Sequence, residues 1–191
     1  KIKSIEIPKD SKLQKIGKYS FYKTEISSIF IPPQVEEIGE HAFDRCVNLE
    51  RVEISPDSKI KAIEKHTFNR SLIEEILIPN NVTIIGKGSF SNCEKLKKVV
   101  ISPDSKLQTI GDFAFKRTSL SKFFVPNSLT SIGESSFAKI KNDFEIEIQS
   151  DSKLQKIGKF AFNKTKLKNI FIPSDLVDLG EGWCKSMKYL D

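Results

Sequence analysis

Residues 26–46 read ISSIFIPPQVEEIGEHAFDRC. Ile29 and Ile31 flank Phe30, Pro32 follows at once, Val35 and Ile38 lie three apart, and Gly39, Ala42, Phe43 and Cys46 complete the frame. An I-x-I core has period two, which is a strand with alternate side chains inward. Proline after it ends the strand, because it has no N–H to give to a ladder. The spacing of Ala42, Phe43 and Cys46 suits a single helical or 3₁₀ turn that buries Phe and Cys.

The frame returns along the whole chain. Phe21, Phe43, Phe68, Phe90, Phe115, Phe137 and Phe162 are spaced alternately 22 and 25 residues apart, and Cys184 takes the eighth slot. Asp-Ser-Lys starts at Asp10, Asp57, Asp104 and Asp151, each 47 residues after the last. The strand segment recurs from Ile2-Ile5-Ile7 to Leu167-Ile170-Ile172. In the seventh copy Asp143 stands in the first apolar slot and only Ile146 and Ile148 match. A unit of this size cannot bury its own apolar face, whereas stacked units can. Residues 1–191 are therefore expected to form one solenoid domain, four copies of a 47-residue double repeat. The predicted class is α/β and β-rich: about eight coils with a parallel sheet on the concave side. Eight parallel strands would span roughly 35–40 Å.

The chain has 191 residues, 31 Lys and Arg against 25 Asp and Glu, a net charge of +6 and a pI near 9.1. That mild excess favours acidic partners without naming one. No apolar run approaches the roughly 20 residues that span a bilayer, so no direct membrane insertion is expected. Three cysteines exclude a disulfide-rich scaffold. The sequence starts at Lys1 with no signal peptide, stops at Leu190-Asp191 where another strand would begin, and shows no polar capping unit. It reads as a fragment of a longer repeat protein.

The frame L-x-x-I-x-I-P-x-x-V-x-x-I-G-x-x-A-F-x-x-C resembles the leucine-rich repeats of BspA-like surface proteins of anaerobic bacteria and parasitic protists. Leu49 to Ile54, Ile31 to Gly39 and His41 to Cys46 carry the resemblance most clearly. It implies a horseshoe-like solenoid, a cell-surface or secreted location, and adhesion to host proteins or other cells. It supplies no catalytic residues. Glu64 in place of Gly, Asp143 in place of Leu and Cys184 in place of Phe depart from the pattern.

Enzyme signatures are missing: there is no G-x-G-x-x-G, Walker loop, H-E-x-x-H or C-x-x-C. No enzyme activity, cofactor or metal is expected. His41 and His66 share a slot two residues before the Phe, in adjacent coils, and read as surface residues rather than ligands. Cys46 and Cys93 share a slot two coils apart, about 9–10 Å, too far for a disulfide. They read as buried, reduced core residues, with Ile140 and Met187 in the same slot. The four Asp-Ser-Lys aspartates read as Asx-type turns rather than calcium ligands. Asn69-Arg-Ser, Asn81-Val-Thr and Asn163-Lys-Thr are glycosylation sequons.

In a solenoid equivalent slots stack, so columns carry the functional information. The residue between the two inward strand positions faces out, and this column reads Glu6, Phe30, Glu53, Leu77, Val100, Phe124, Glu147, Phe171. Phe30, Leu77, Val100, Phe124 and Phe171 with Glu53 and Glu147 are the candidate partner-binding residues, an apolar stripe with a charged rim. The competing explanation is a Phe copied with the 47-residue unit. A second column, two residues after each Phe slot, reads Lys23, Arg45, Arg70, Asn92, Arg117, Lys139, Lys164, Ser186. Its cations are candidate ligands of an anionic polysaccharide on the convex side. The competing explanation is that they complement the dipole of a short helical turn. Nucleic acid is not expected, because no aromatic residues interleave this column. The function expected is a non-catalytic protein-binding or adhesion module. Its partner would be a host extracellular-matrix or cell-surface protein, or a second copy of the chain. The alternative is an intracellular scaffold.

Overall fold

The computed structural model describes residues 2–186. Two families of parallel strands stack along one axis. The long family is β2 (Ser28–Ile31), β4 (Arg51–Ile54), β6 (Glu75–Leu77), β8 (Lys98–Val100), β10 (Lys122–Val125), β12 (Asp143–Ile148) and β14 (Lys166–Leu167). The short family is β1 (Lys15–Ile16), β3 (Glu37–Ile38), β5 (Ala62–Ile63), β7 (Ile84–Ile85), β9 (Thr109–Ile110), β11 (Ser131–Ile132), β13 (Lys156–Ile157) and β15 (Asp178–Leu179). After the first coil, which has only a short strand, each coil contributes one strand to each. The pairs β2–β4, β6–β8 and β10–β12–β14 are laddered, β4 packs on β6 and β8 on β10, and β5 to β15 form a continuous six-stranded ladder. This is a β-solenoid of about seven turns, with the long strands as the concave sheet. Ile5 and Ile7 of the first copy pack against the core without forming a strand.

The expected helical element is absent among the described residues, so the fold is β-rich without an α component. Its place is taken by consecutive tight turns. In the second coil the N–H groups of Ala42, Asp44 and Cys46 donate to the carbonyls of Gly39, His41 and Phe43, three residues back. The intervening N–H groups of His41, Phe43 and Arg45 donate instead to Lys65, Thr67 and Asn69 of the next coil at 2.8–2.9 Å. Two residues per coil are left-handed to permit this: His41 at φ 58° and Arg45 at φ 60°. An i→i+3 bond with positive φ at the third residue is the signature of a type II turn. The alternation gives every second backbone donor to the neighbouring coil, which joins the units as a ladder does. The tight stacking needs Gly39, since a Cβ there would lie 2.6 Å from the Lys18 backbone nitrogen.

Between the two ladders runs the phenylalanine column. Phe43, Phe68, Phe90, Phe115, Phe137 and Phe162 are fully buried, and successive rings from Phe21 to Phe162 stack with centroids 5.0–5.5 Å apart. Phe21, at the end of the stack, is half-buried. At the other end Phe162 meets the edge of Trp183.

The seventh copy corrects the reading of Asp143. β12 pairs with β14 through Asp143–Lys166 and Phe144–Leu167, while β10 pairs with β12 through Phe123–Ile146. The frame has slipped by one residue between these strands, and a one-residue slip exchanges faces. Phe144 is buried against Phe137 and Asp143 is turned to solvent, which avoids burying a carboxylate. The Asp-Ser-Lys turns are corrected likewise. The serine, not the aspartate, makes the turn: Ser58, Ser105 and Ser152 are buried, and their hydroxyls accept the N–H groups of Ile60, Leu107 and Leu154.

Candidate binding surfaces

The long strands bury alternate residues. Val52 and Ile54, Ile76 and Ile78, Phe123 and Val125, and Ile146 and Ile148 all point inward. The residue between each pair must then point out. Phe30, Leu77, Val100 and Phe124 are half-buried by their neighbours on the sheet, and Phe171 is 49% exposed. Register places Phe30 beside Glu53, Leu77 beside Val100 and Phe124 beside Glu147. Six of the seven residues read from the sequence are thus placed on one face by register. Phe171 lies just beyond β14, on coil that follows the register slip.

Charge flanks this row. Lys98 pairs with Glu75 at 2.7 Å, and Lys122 bridges Glu147 at 2.8 Å and Glu145 at 3.8 Å. The hydrogen bond and charge of Lys122 hold the Glu147 carboxyl below the usual carboxylate range. A groove of about 840 Å³ runs over the N-terminal half, lined by Phe30, Leu77, Glu50, Glu53, Glu74 and Glu75 with Arg51 and Lys9. Four carboxylates against two cations give this part of the face an acidic balance. A second groove of about 430 Å³ surrounds Phe171 near the other end.

The basic column divides. Arg117, Lys139 and Lys164 line one depression of about 800 Å³ together with Lys141 and Lys166. Lys23 and Arg45 line a separate one of about 280 Å³. Arg70 lies between them, followed in the column by the uncharged Asn92. Every member from Lys23 to Ser186 has φ between 57° and 64°. Sequence reasoning missed Lys141 and Lys166. They stand four residues after the Phe slot, beyond one inward residue, and reading that next column would have found them. The helix-dipole explanation falls away, since no helix is present among the described residues.

The histidine slot is also more structured than a free surface. Tyr19 stacks on His41 with centroids 4.8 Å apart, and His66 lies tilted against His41 at 5.0 Å. His41 Nδ1 lies 2.9 Å from Asp44 Oδ2, and Asn69 donates to Asp44 Oδ1 at 2.9 Å. Asp44 is 5% exposed, and this pair of bonds is what satisfies its buried carboxylate. His66 lies over Gly88, with Nδ1 buried and unpartnered; burial, then the nearby His41, pushes its pKa down. No set of three His, Cys, Asp or Glu side chains among the described residues is arranged to hold a metal. The Asn69 sequon is occluded, because its amide is committed to Asp44.

Cys46 and Cys93 are buried free thiols, donating to the carbonyls of Phe21 and Phe68 in the preceding coil at 2.9 and 3.1 Å. Burial pushes Cys93 up to about 11. Met187, expected in the same slot, lies outside the described residues. No helix among the described residues is long and apolar enough to cross a membrane.

A leucine-rich repeat protein of T. pallidum, TpLRR, superposes with a TM-score of 0.65 at 25% identity, over 77% of this chain and 65% of that one. The pneumococcal vaccine antigen PcpA superposes with a TM-score of 0.50 at 20% identity, over 88% of this chain and 64% of that one. The chain therefore spans just under two thirds of either structure. No curated protein matches the sequence. The family model for the BspA type leucine-rich repeat region matches six copies, over residues 1–106 and 61–190. The coil geometry and this match agree, and the chain belongs to the BspA-type leucine-rich repeat family.

Proposed function

We propose that this solenoid is a non-catalytic protein-binding module whose long-strand sheet is the contact surface. The observation that carries the reading is the partly exposed row Phe30, Leu77, Val100, Phe124 and Phe171, set among charged neighbours on a rigid face. Apolar anchors inside a charged rim are where binding energy concentrates. Adjacent strands are about 4.8 Å apart, so Phe124 and Phe171, two coils apart, suit an extended segment crossing the strands. Glu53 and the acidic groove around it favour basic side chains on that segment. Leucine-rich repeat proteins commonly bind proteins, and the BspA-type resemblance supports a cell-surface or secreted adhesin as the setting. TpLRR, sharing a quarter of its aligned residues with this chain, supports the module.

The test is adsorption of the protein to basement-membrane matrix and to intact cells. Phe124→Ser with Phe171→Ser is expected to lose at least tenfold in retention, with the melting temperature nearly unchanged. Unchanged retention by a folded double variant would overturn the assignment and leave the aromatic row as a relic of duplication. A shift from dimer to monomer in sedimentation, without loss of adsorption, would assign the face to self-association instead.

A further inference from the structure

We propose that Arg117, Lys139, Lys141, Lys164 and Lys166 form a binding site for a linear sulfated polysaccharide, laid along the stacking axis on the flank where the turns run into the long strands. The site borders the aromatic row at one point, Lys166, which also lines the groove around Phe171. Lys139 and Lys141 flank Ile140, and Lys164 and Lys166 flank Thr165; Ile140 and Thr165 are 1% exposed, so their neighbours on either side must both face out. The result is a strip two cations wide. Each coil advances it by one ring step of the core beside it, where Phe115, Phe137 and Phe162 stack at 5.3 and 5.5 Å. The backbone holds the strip in place: Arg117, Lys139 and Lys164 each donate their N–H to the next coil at 2.8–3.2 Å.

The charges are only partly neutralised locally. Lys141 pairs with Glu94 at 2.9 Å, Lys166 approaches Asp143 at 3.9 Å, and Glu94 also feels the charge of Arg117, but Lys139 and Lys164 have no ion pair among the described residues. Burial first, then Lys139 and Arg117, lowers the pKa of the adjacent Lys116. The cations also sit on left-handed backbone, at φ 59°, 64° and 57°. That conformation suits Gly and Asn and is unfavourable for Lys and Arg. The chain does use Asn92 in this column, and Gly88 and Gly182 in the other left-handed column. Both Lys and Arg occur at this slot in each half of the 47-residue unit: Lys23, Arg70, Arg117 and Lys164 in one, Arg45 and Lys139 in the other. A row held against both repulsion and backbone preference calls for a ligand that relieves the repulsion.

The ligand must be polymeric, because the cations lie on successive coils, and anionic. Carboxylates on one side of an extended peptide recur every 6.4–6.8 Å or so, out of step with a coil of about 4.8 Å. Single-stranded nucleic acid binds through aromatic platforms, and this strip has none. A sulfated sugar chain carries sulfate or carboxylate charges all along its length and can meet the strip at each coil.

The experiment uses the whole chain and heparin as the probe. Wild type is expected to bind heparin with a steep salt dependence, since each neutralised cation releases a counterion. Arg117→Gly, Lys139→Asn and Lys164→Asn together replace the cations by residues that favour left-handed backbone, so the fold is retained. This variant should bind at least tenfold more weakly with a shallower salt slope, and Phe124→Ser with Phe171→Ser should bind as wild type does. Three results would overturn the proposal: equal binding by the folded triple variant, equal binding of desulfated heparin, or tighter binding of single-stranded DNA or poly-glutamate. Loss through the phenylalanine variant alone would return heparin to the sheet face.

Discussion

Two columns of this solenoid repeat with the same alternating period and differ in everything else. The phenylalanine column is uniform, buried and stacked ring on ring. The column two residues later is exposed, left-handed and varied, with Lys, Arg, Asn and Ser in equivalent places. In the first, each side chain is demanded by its neighbours: any smaller residue leaves a void between rings about 5.3 Å apart. In the second, the backbone is demanded and the side chain is not. Recurrence by itself is therefore no sign of function. Recurrence of a residue type that its own backbone disfavours is the informative kind.

The comparison breaks most visibly at Phe90. Removing a fully buried phenylalanine costs both transfer energy and a cavity, about 3–5 kcal/mol for Phe90→Ala. Phe21→Ala should cost markedly less, since Phe21 is half-buried and stacks on a single ring, that of Phe43. Urea unfolding of the two variants measures both. A loss under about 1 kcal/mol at Phe90 would mean that the column is not the core.

Sequence periodicity made the phenylalanine column legible, together with the inward pairs of each strand, because burial at a fixed repeat leaves a fixed residue type. The turns were not legible. Spacings of one and three residues are shared by a helical turn and by a run of tight turns, and Lys, Arg and His give no hint of positive φ. The slip that brings Phe144 inward was hidden because Ile146 and Ile148 still fit the frame. Of the surface residues, the aromatic row could be read from strand alternation alone. Lys141 and Lys166 required knowing that the chain after Lys139 and Lys164 continues extended with Ile140 and Thr165 inward.

The histidine slot sharpens the contrast with a smaller effect, because it belongs to the other left-handed column and is only partly enclosed. His66 has a depressed pKa in the folded state, from burial and then from His41. The neutral form is thus favoured by folding. Its contribution is present above the unfolded value of about 6.5 and is lost as pH falls through the lower folded value. Asp44 pulls in the opposite direction without reversing the shift. The melting temperature is expected to fall between about pH 7.5 and pH 5, and His66→Asn, which tolerates the left-handed backbone, should reduce that fall. An identical pH dependence in the variant would mean that carboxylates alone set it.

The smallest expected effect tests the second column most directly. Lys139 occupies φ 64°, a region that disfavours residues with a Cβ by roughly 1–2 kcal/mol, with Asn penalised less. Lys139→Asn should therefore raise stability by a few tenths to about 1 kcal/mol. It also removes one charge from a row in which Lys139 and Lys164 have no ion pair among the described residues, so the gain should shrink as salt screens the row. Lys98→Asn is the contrast: it removes a surface lysine from a strand with ordinary backbone and breaks the pair with Glu75, so it should be neutral to slightly destabilising. Chemical unfolding at low and high salt reads both. If Lys139→Asn instead destabilises the fold, the cation contributes to stacking, the two columns share one structural cause, and the cationic strip loses its main claim to be a binding site.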